Sequence, residues 1–151
     1  MRSRRFLIPV LLMTITIAMA TSCSKSNSGS KPTLKIASIN TSIPVGGTLD
    51  VIMDFDSRSA NLSEGTLVVI RNRLNQRPLS GNSSSPDTLT GPIPQFPNVA
   101  KGQFEYKLDW GTYLHQSDEE NDTVVFKFAA IDAKGNSSDT ITSPKIVVKY
   151  Q

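Results

Sequence analysis

The chain has 151 residues, of which 38% are hydrophobic, and it contains one histidine and one cysteine. That length fits one domain with one core, and a lone cysteine excludes a disulfide framework within the chain. Three of the 16 basic residues, Arg2, Arg4 and Arg5, stand at the start, and the other 13 match the 13 acidic residues in number. This balance excludes the basic footprint of a nucleic-acid-binding protein.

The first 22 residues have the layout of a secretory signal peptide. The three arginines precede an uncharged, apolar run from Phe6 to Ala20, and small residues then lead to Cys23. The alternative, a retained membrane helix, is disfavoured because the run is shorter than the ~20 apolar residues that span a bilayer and contains Pro9. We therefore predict a signal peptide over residues 1–22.

The small residues Ala20, Thr21 and Ser22, directly before the only cysteine, resemble a bacterial lipobox, although Ala20 stands where Leu is commonest. The resemblance implies that the Cys23 thiol is lipidated and anchors the chain to the outer membrane. Ordinary secretion with cleavage after Ser22 or Ala20 is the alternative, and it would leave a free thiol in an oxidising compartment. Residues 23–32 are rich in Ser, Asn and Gly, which predicts a flexible tether. They lack an acidic cluster resembling a surface-export signal, which favours the periplasmic face over the cell surface.

Beyond the tether, apolar and polar residues alternate with period two, as in half-buried strands. The pattern is clearest over 103–110 and over 48–56, where only Ile52 breaks it. Further strands are predicted at 33–39, 66–71, 123–132 and 139–150, with a short edge strand near 88–90. Turns at 44–47 and 133–136 are predicted to join the first two and the last two strands. About seven antiparallel strands favour a two-sheet, all-β sandwich.

The C-terminal stretch 123–150 combines a hydrophobic strand, Asp132, then Gly135 and Asn136 at a turn, and a last strand rich in Ser and Thr. This resembles the closing hairpin of bacterial immunoglobulin-like domains, which implies a single immunoglobulin-like β-sandwich over residues 33–151. Small lipoproteins of this build are frequent in the Bacteroidota, and some bind glycans or accompany nutrient-uptake machinery. The resemblance implies a fold and not an activity.

Residues 75–101 hold five of the nine prolines and predict a long loop, which is where binding surfaces commonly lie. Phe96 in this loop, with Tyr113 and His115 in the next, are the candidate ligand-binding residues, because a flat ring can stack on a sugar face. Trp110 shares its strand face with apolar residues, so we predict that it belongs to the core or its rim and not to a ligand platform.

Groups for catalysis or metal binding are few. His115 is the only histidine, and no serine stands in a Gly-x-Ser-x-Gly elbow, so we predict that the protein is not an enzyme and needs no cofactor. No metal site is predicted, since zinc lacks ligands, and the acidic residues Asp118, Glu120 and Asp122 remain only as weak calcium candidates without EF-hand spacing. Thr88 is the best-exposed of three threonines in Asp-Thr-apolar tripeptides, which resemble O-glycosylation sites of the Bacteroidota.

These features leave two classes of function. In the first, the protein is a non-catalytic, membrane-anchored module of the cell envelope whose loops bind a protein partner or a glycan. In the second, it is a structural or assembly component whose sheet edges pair with other chains. A calcium-dependent, glycan-active protein is a remote third. No nucleic-acid partner is predicted.

Overall fold

A computed structural model describes residues 31–57, 62–79, 87–97 and 99–151. The predicted signal peptide, Cys23 and most of the predicted tether lie outside these residues. The described residues form nine strands and one π-helical turn, Trp110–Leu114. The strands are β1 (Thr33–Ile39), β2 (Ser42–Ile43), β3 (Thr48–Asp56), β4 (Thr66–Arg73), β5 (Thr88–Pro92), β6 (Lys101–Asp109), β7 (Asp122–Ile131), β8 (Ile141–Thr142) and β9 (Ile146–Val148).

The strands form two sheets that pack as a β-sandwich. The smaller sheet has the order β1-β3-β6, and the larger has the order β2-β9-β7-β4-β5, with β8 also paired to β7. Strands β1, β3 and β6 therefore share one sheet, while β4, β7 and β9 share the other, as in immunoglobulin-like domains. The predicted all-β, immunoglobulin-like sandwich is confirmed.

The chain changes sheets after β1, which the sequence pattern did not predict. A register shift between Ile36 and Ser38 bends β1, and the side chain of Asn40 then replaces a strand partner: its Nδ2 donates to the Thr48 carbonyl (2.9 Å) and its Oδ1 accepts from the Asp50 amide (2.8 Å). The freed chain forms β2, which pairs parallel to β9. The expectation that all strands are antiparallel is therefore wrong at this one pair, and the turn at 44–47 joins β2, not β1, to β3.

Other strand boundaries follow from local chemistry. The predicted last strand, 139–150, is split into β8 and β9 at Ser143 and Pro144, where the Ser143 hydroxyl oxygen takes the Phe126 amide hydrogen bond at 2.9 Å. The predicted loop 75–101 contains β5, which pairs with β4. Trp110, predicted to end a strand, begins the π-helical turn instead.

The core lies between the inner faces of the sheets, to which every second residue of each long strand contributes, as the period-two pattern requires. Burial of such aliphatic and aromatic side chains removes their surface from water and is the main stabilising term of the fold. The most deeply buried large apolar side chains of the core are Phe126, Phe128, Ile43, Leu49, Met53, Leu62, Leu67, Ile93, Leu114 and Ile146. Arg71 is buried with them, at 1% exposure.

The turn at 133–136 closes the hairpin between β7 and β8, as predicted. Gly135 adopts a positive φ of 83°, which favours glycine. Asp132 is buried, and its Oδ1 accepts hydrogen bonds from the amides of Lys134 (2.9 Å) and Asn136 (2.8 Å). Burial alone would raise the pKa of Asp132, but the hydrogen bonds from Asn136 and Lys134 and the nearby Lys134 charge together lower it.

We expect Asp132→Asn to lower the free energy of unfolding at pH 7 by about 1 to 3 kcal/mol, because neutral acceptors bind these amides more weakly. The pKa of Asp132 is lower in the folded protein than its ordinary value of 3.8, so the carboxylate stabilises the fold at any pH above 3.8. This stabilisation is lost as the pH falls through the pKa that Asp132 has in the folded protein. Urea unfolding from pH 7 to pH 2 should therefore show a flatter acid dependence in the variant. Asp139→Asn, an exposed aspartate of the same hairpin, is the control. Equal pH profiles for all three proteins would contradict the assignment.

Candidate functional site

The strand register defines two ends of the sandwich. Thr33, where β1 begins, pairs with Asp56, which pairs in turn with Lys101, so the chain enters the sandwich at the end that we call the tether end. Thr48 pairs with Asp109 at the opposite end. That end, which we call the loop end, carries the turn 44–47, the segment 74–79 and the loop 110–121.

Trp110 fixes the start of the 110–121 loop. Its amide donates to the Gly47 carbonyl (3.0 Å), and its indole Nε1 donates to the Lys149 carbonyl (2.7 Å). The imidazole of His115 stacks on the indole with ring centroids 4.0 Å apart, and the His115 amide closes the π-helical turn onto the Trp110 carbonyl at 2.9 Å. Trp110 is half-buried and packs against the core, so its predicted place at the core rim matches the structure.

Asp122 fixes the other end of the loop. Its side chain is 1% exposed, and Oδ1 lies 2.5 Å from Nε of Arg73, while Oδ2 accepts the amides of Gln116 and Ser117, each at 3.0 Å. The second Arg73 amino group, Nη2, binds Glu120 at 2.8 Å. One carboxylate thus joins β7, β4 and the loop backbone through charge-assisted hydrogen bonds.

Arg71 forms a second buried charge beneath the same loop, and it was not among the residues predicted from the sequence. Its guanidinium lies over the Tyr113 ring, 4.4 Å from the centroid, and its Nη1 donates to the Tyr113 carbonyl. Its Nη2 lies 3.3 Å from Oδ1 of Asp87, and the Tyr113 hydroxyl donates to the Asp87 carbonyl at 3.1 Å. Burial raises the pKa of Tyr113. The signal was present in the sequence, since Leu67, Val69 and Arg71 alternate on the core-facing side of β4.

The structure separates the three predicted ligand-binding residues. Tyr113 and His115 belong to the loop end, whereas Phe96 lies at the tether end, where its ring packs 4.5 Å from that of Phe55 and stacks on Phe104 at 6.1 Å. Tyr113 is only 4% exposed, so the expectation of an exposed loop ring is wrong for this residue. The His115 side chain is 18% exposed and its Nε2 lies 3.5 Å from Asp118. The three rings therefore do not form one platform.

The weak calcium candidates are also separated by their partners. Asp122 and Glu120 bind Arg73, and Asp118, with a side chain 93% exposed, faces His115. Among the described residues, no group of three or more His, Cys, Asp or Glu is placed to hold a metal ion. The cation that the Asp122 carboxylate meets here is a guanidinium.

The two predicted modification sites are Thr88 and Cys23. Thr88 is exposed at the start of β5, an edge strand of the larger sheet. Cys23 lies outside the described residues. Within the described ranges, none of the helical structure has the length and apolar character of a bilayer-spanning helix.

Comparisons with known proteins give structural neighbours only. No family model and no curated protein matches the chain. Similar solved structures include beta-glucosidase from Listeria innocua in complex with glucose (12% identity, TM-score 0.43) and with gluconolactone (13%, 0.42); each covers 80% of this chain, which spans 16% of the glucosidase. Another is a cohesin module from a Clostridium perfringens family 33 glycoside hydrolase, at 8% identity and a TM-score of 0.38, covering 80% of this chain and 98% of the module. The fold assignment rests on the sheet order.

We expect Arg73→Met to lower the free energy of unfolding by about 3 kcal/mol, because it leaves the buried Asp122 carboxylate without its cation. Arg77→Met is the matched control: Arg77 binds Glu119 at 3.1 Å, but both side chains are about half exposed, so its loss should cost under about 1 kcal/mol. Urea unfolding followed by the fluorescence of the only tryptophan, Trp110, measures both. Equal losses of unfolding free energy in the two variants would show that Arg73 does not stabilise the buried Asp122 carboxylate.

Proposed function

We propose that this protein is a non-catalytic lipoprotein of the cell envelope, anchored through Cys23, which binds a partner protein through its loop end. The observation that carries the proposal is the fixation of the 110–121 loop by Trp110, Asp122 and Arg71, all of them half-buried or buried. Binding groups presented on such a loop lose little conformational freedom when a partner docks, and this raises affinity.

The position of the two ends supports this use of the loop end. The tether that we propose for residues 23–32 would lead into β1 at the tether end, and ten residues span about 35 Å when fully extended. The nine-residue strands β3 and β6 add about 30 Å between the two ends. An anchor at Cys23 therefore leaves the loop end as the part of the sandwich furthest along the chain path from the membrane.

The exposed groups of the loop end favour a protein over a glycan as the partner. A sugar site usually offers an open aromatic ring, but Tyr113 is buried and the Trp110 indole is covered by His115. The groups that reach solvent are instead charged or aliphatic. Asp118 is 93% exposed, and Glu119 and Arg77 form a half-exposed pair. Val45 and Leu74 are 49% and 44% exposed. Charges at a polar rim speed docking and select the partner's charge pattern.

The surroundings of His115 support a non-catalytic role. A catalytic histidine needs a nucleophile on one side and an orienting group on the other. Here the ring is stacked on Trp110 and its Nε2 faces an exposed aspartate, Asp118. Another carboxylate that the sequence places on a strand face, Asp54, accepts from Gln103 at 2.7 Å.

A photo-crosslinking residue at position 118 of the full chain, in cells that export it, should form a discrete adduct with a partner protein. The same residue at position 134, exposed in the turn at the tether end, is the matched control. Equal labelling at both positions, or none at 118, would contradict binding through the loop end. Glu119→Lys should weaken the adduct at 118, because it reverses a rim charge.

The anchor is tested separately. Cys23→Ser should release the exported chain from membranes into the soluble fraction, because one thiol carries the proposed lipid and two or more acyl chains are needed for stable anchoring. Mass spectrometry of the mature N-terminus should find acylated Cys23 in the wild-type chain. An unmodified terminus produced by cleavage after Ser22 or Ala20 would contradict lipidation.

A further inference from the structure

The described strands leave four sheet edges, and three of them carry features that prevent pairing with another chain. The edge strand β1 has a register shift, β2 and β8, which share one edge, have two residues each, and β5 contains Gly91 and ends at Pro92. Bulges, short strands and prolines all block the addition of another strand. The fourth edge, β6, has nine residues and pairs along its whole length with β3 in unbroken register.

The backbone groups at the free edge of β6 follow from its pairing with β3. The Trp110 amide donates to Gly47 and the Ala100 carbonyl accepts from Ser57, so even-numbered residues of this strand direct their hydrogen-bonding groups toward β3. In an antiparallel pair these groups alternate in direction along the strand. The amides and carbonyls of Gln103, Glu105 and Lys107 therefore face the open edge.

The side chains of these same residues are exposed on the outer face of the sheet and alternate in charge. Glu105 and Lys107 have side chains 52% and 56% exposed and lie 3.2 Å apart, and Asp109 follows two residues later. A run of one charge sign would repel a second copy of itself. An alternating run is self-complementary in an antiparallel register that places opposite signs across from each other.

We propose that two copies of this chain pair antiparallel through β6 in the register that places Tyr106 opposite Tyr106 of the second copy. Glu105 of each copy then lies opposite Lys107 of the other, and Gln103 opposite Asp109. Each opposed pair of odd-numbered residues exchanges backbone hydrogen bonds, because those groups face the edge. The product is a continuous six-stranded sheet with two-fold symmetry.

Registers centred at Phe104, Glu105 and Lys107 are disfavoured by charge, and a centre at Leu108 pairs only residues 107–109 within β6. A centre at Glu105 sets two glutamates against each other, a centre at Lys107 sets Glu105 against Asp109, and a centre at Phe104 sets Lys101 against Lys107. Like charges directly opposite destabilise a strand pair. The Tyr106 register avoids all of these contacts.

The proposed dimer does not depend on the proposed partner binding. It does change how the loop ends are oriented relative to the membrane. Antiparallel pairing points the two loop ends in opposite directions, so the strands run along the membrane when both copies are anchored in it. A tether that reaches about 35 Å allows this for a sandwich about 30 Å long. Both loop ends stay exposed.

Charge reversal tests the pairing. In the full chain purified in detergent, sedimentation over a dilution series should show a monomer–dimer equilibrium. Either Lys107→Glu or Glu105→Lys alone should raise the dissociation constant of the dimer about tenfold. The double variant Glu105→Lys, Lys107→Glu should restore it, because opposite signs face each other again. Lys145→Glu, an exposed lysine outside β6, should leave it unchanged. A chain that stays monomeric, or a dimer that is indifferent to Lys107→Glu, overturns the proposal.

Cysteine crosslinking tests the register. Residues paired without backbone hydrogen bonds lie about 4.5 Å apart at Cα, within the range of a disulfide. In exporting cells, Tyr106→Cys should crosslink to its own copy, whereas Glu105→Cys should not, since it lies opposite Lys107. Crosslinking of Glu105→Cys alone overturns this register. The photo-crosslink at position 118 should persist in the Lys107→Glu variant, so loss of the dimer and failure of the loop-end function give different results.

Discussion

The carboxylate of Asp122 holds the loop end together. It is removed from water, which is costly for a charge, and it is stabilised by the Arg73 guanidinium together with two loop amides. Because it stands at the first residue of β7, it joins the register of the larger sheet to the path of the preceding loop. Together with Trp110, which stacks on His115, and Arg71, which binds the Tyr113 carbonyl, this attachment fixes the loop on which the proposed binding role depends.

Much of the fold could be predicted from alternation, because a strand with one buried face must repeat its apolar residues with period two. The bounds of β1 and β3 are those that the pattern predicts. The pattern could not reveal β2, since two residues have no period, nor its parallel pairing with β9, which depends on the Asn40 side chain. Long-range replacement of a backbone partner by an amide leaves no local signal.

The site was less predictable than the fold, because loop residues have no periodicity to show which way they face. Tyr113 lies only three residues after Trp110, but no alternation continues across this turn, and the contact with the buried Arg71 explains why the Tyr113 ring turns inward. In the acidic run 118–122 the sequence shows carboxylates that are equal in kind. They differ in their surroundings. Asp122 and Glu120 bind Arg73, which is far away in the sequence, whereas Asp118 is exposed to solvent beside His115.

The pairing of β1 with β3 has a mechanical consequence for an anchored protein. A pull between an anchor before Thr33 and a partner held at the loop end runs along the strands. The hydrogen bonds between β1 and β3 lie across that direction, so the load reaches them together, in shear, and not one at a time as in unzipping. Shear loading requires several of these hydrogen bonds to break at once, which would suit the anchored binding role proposed above.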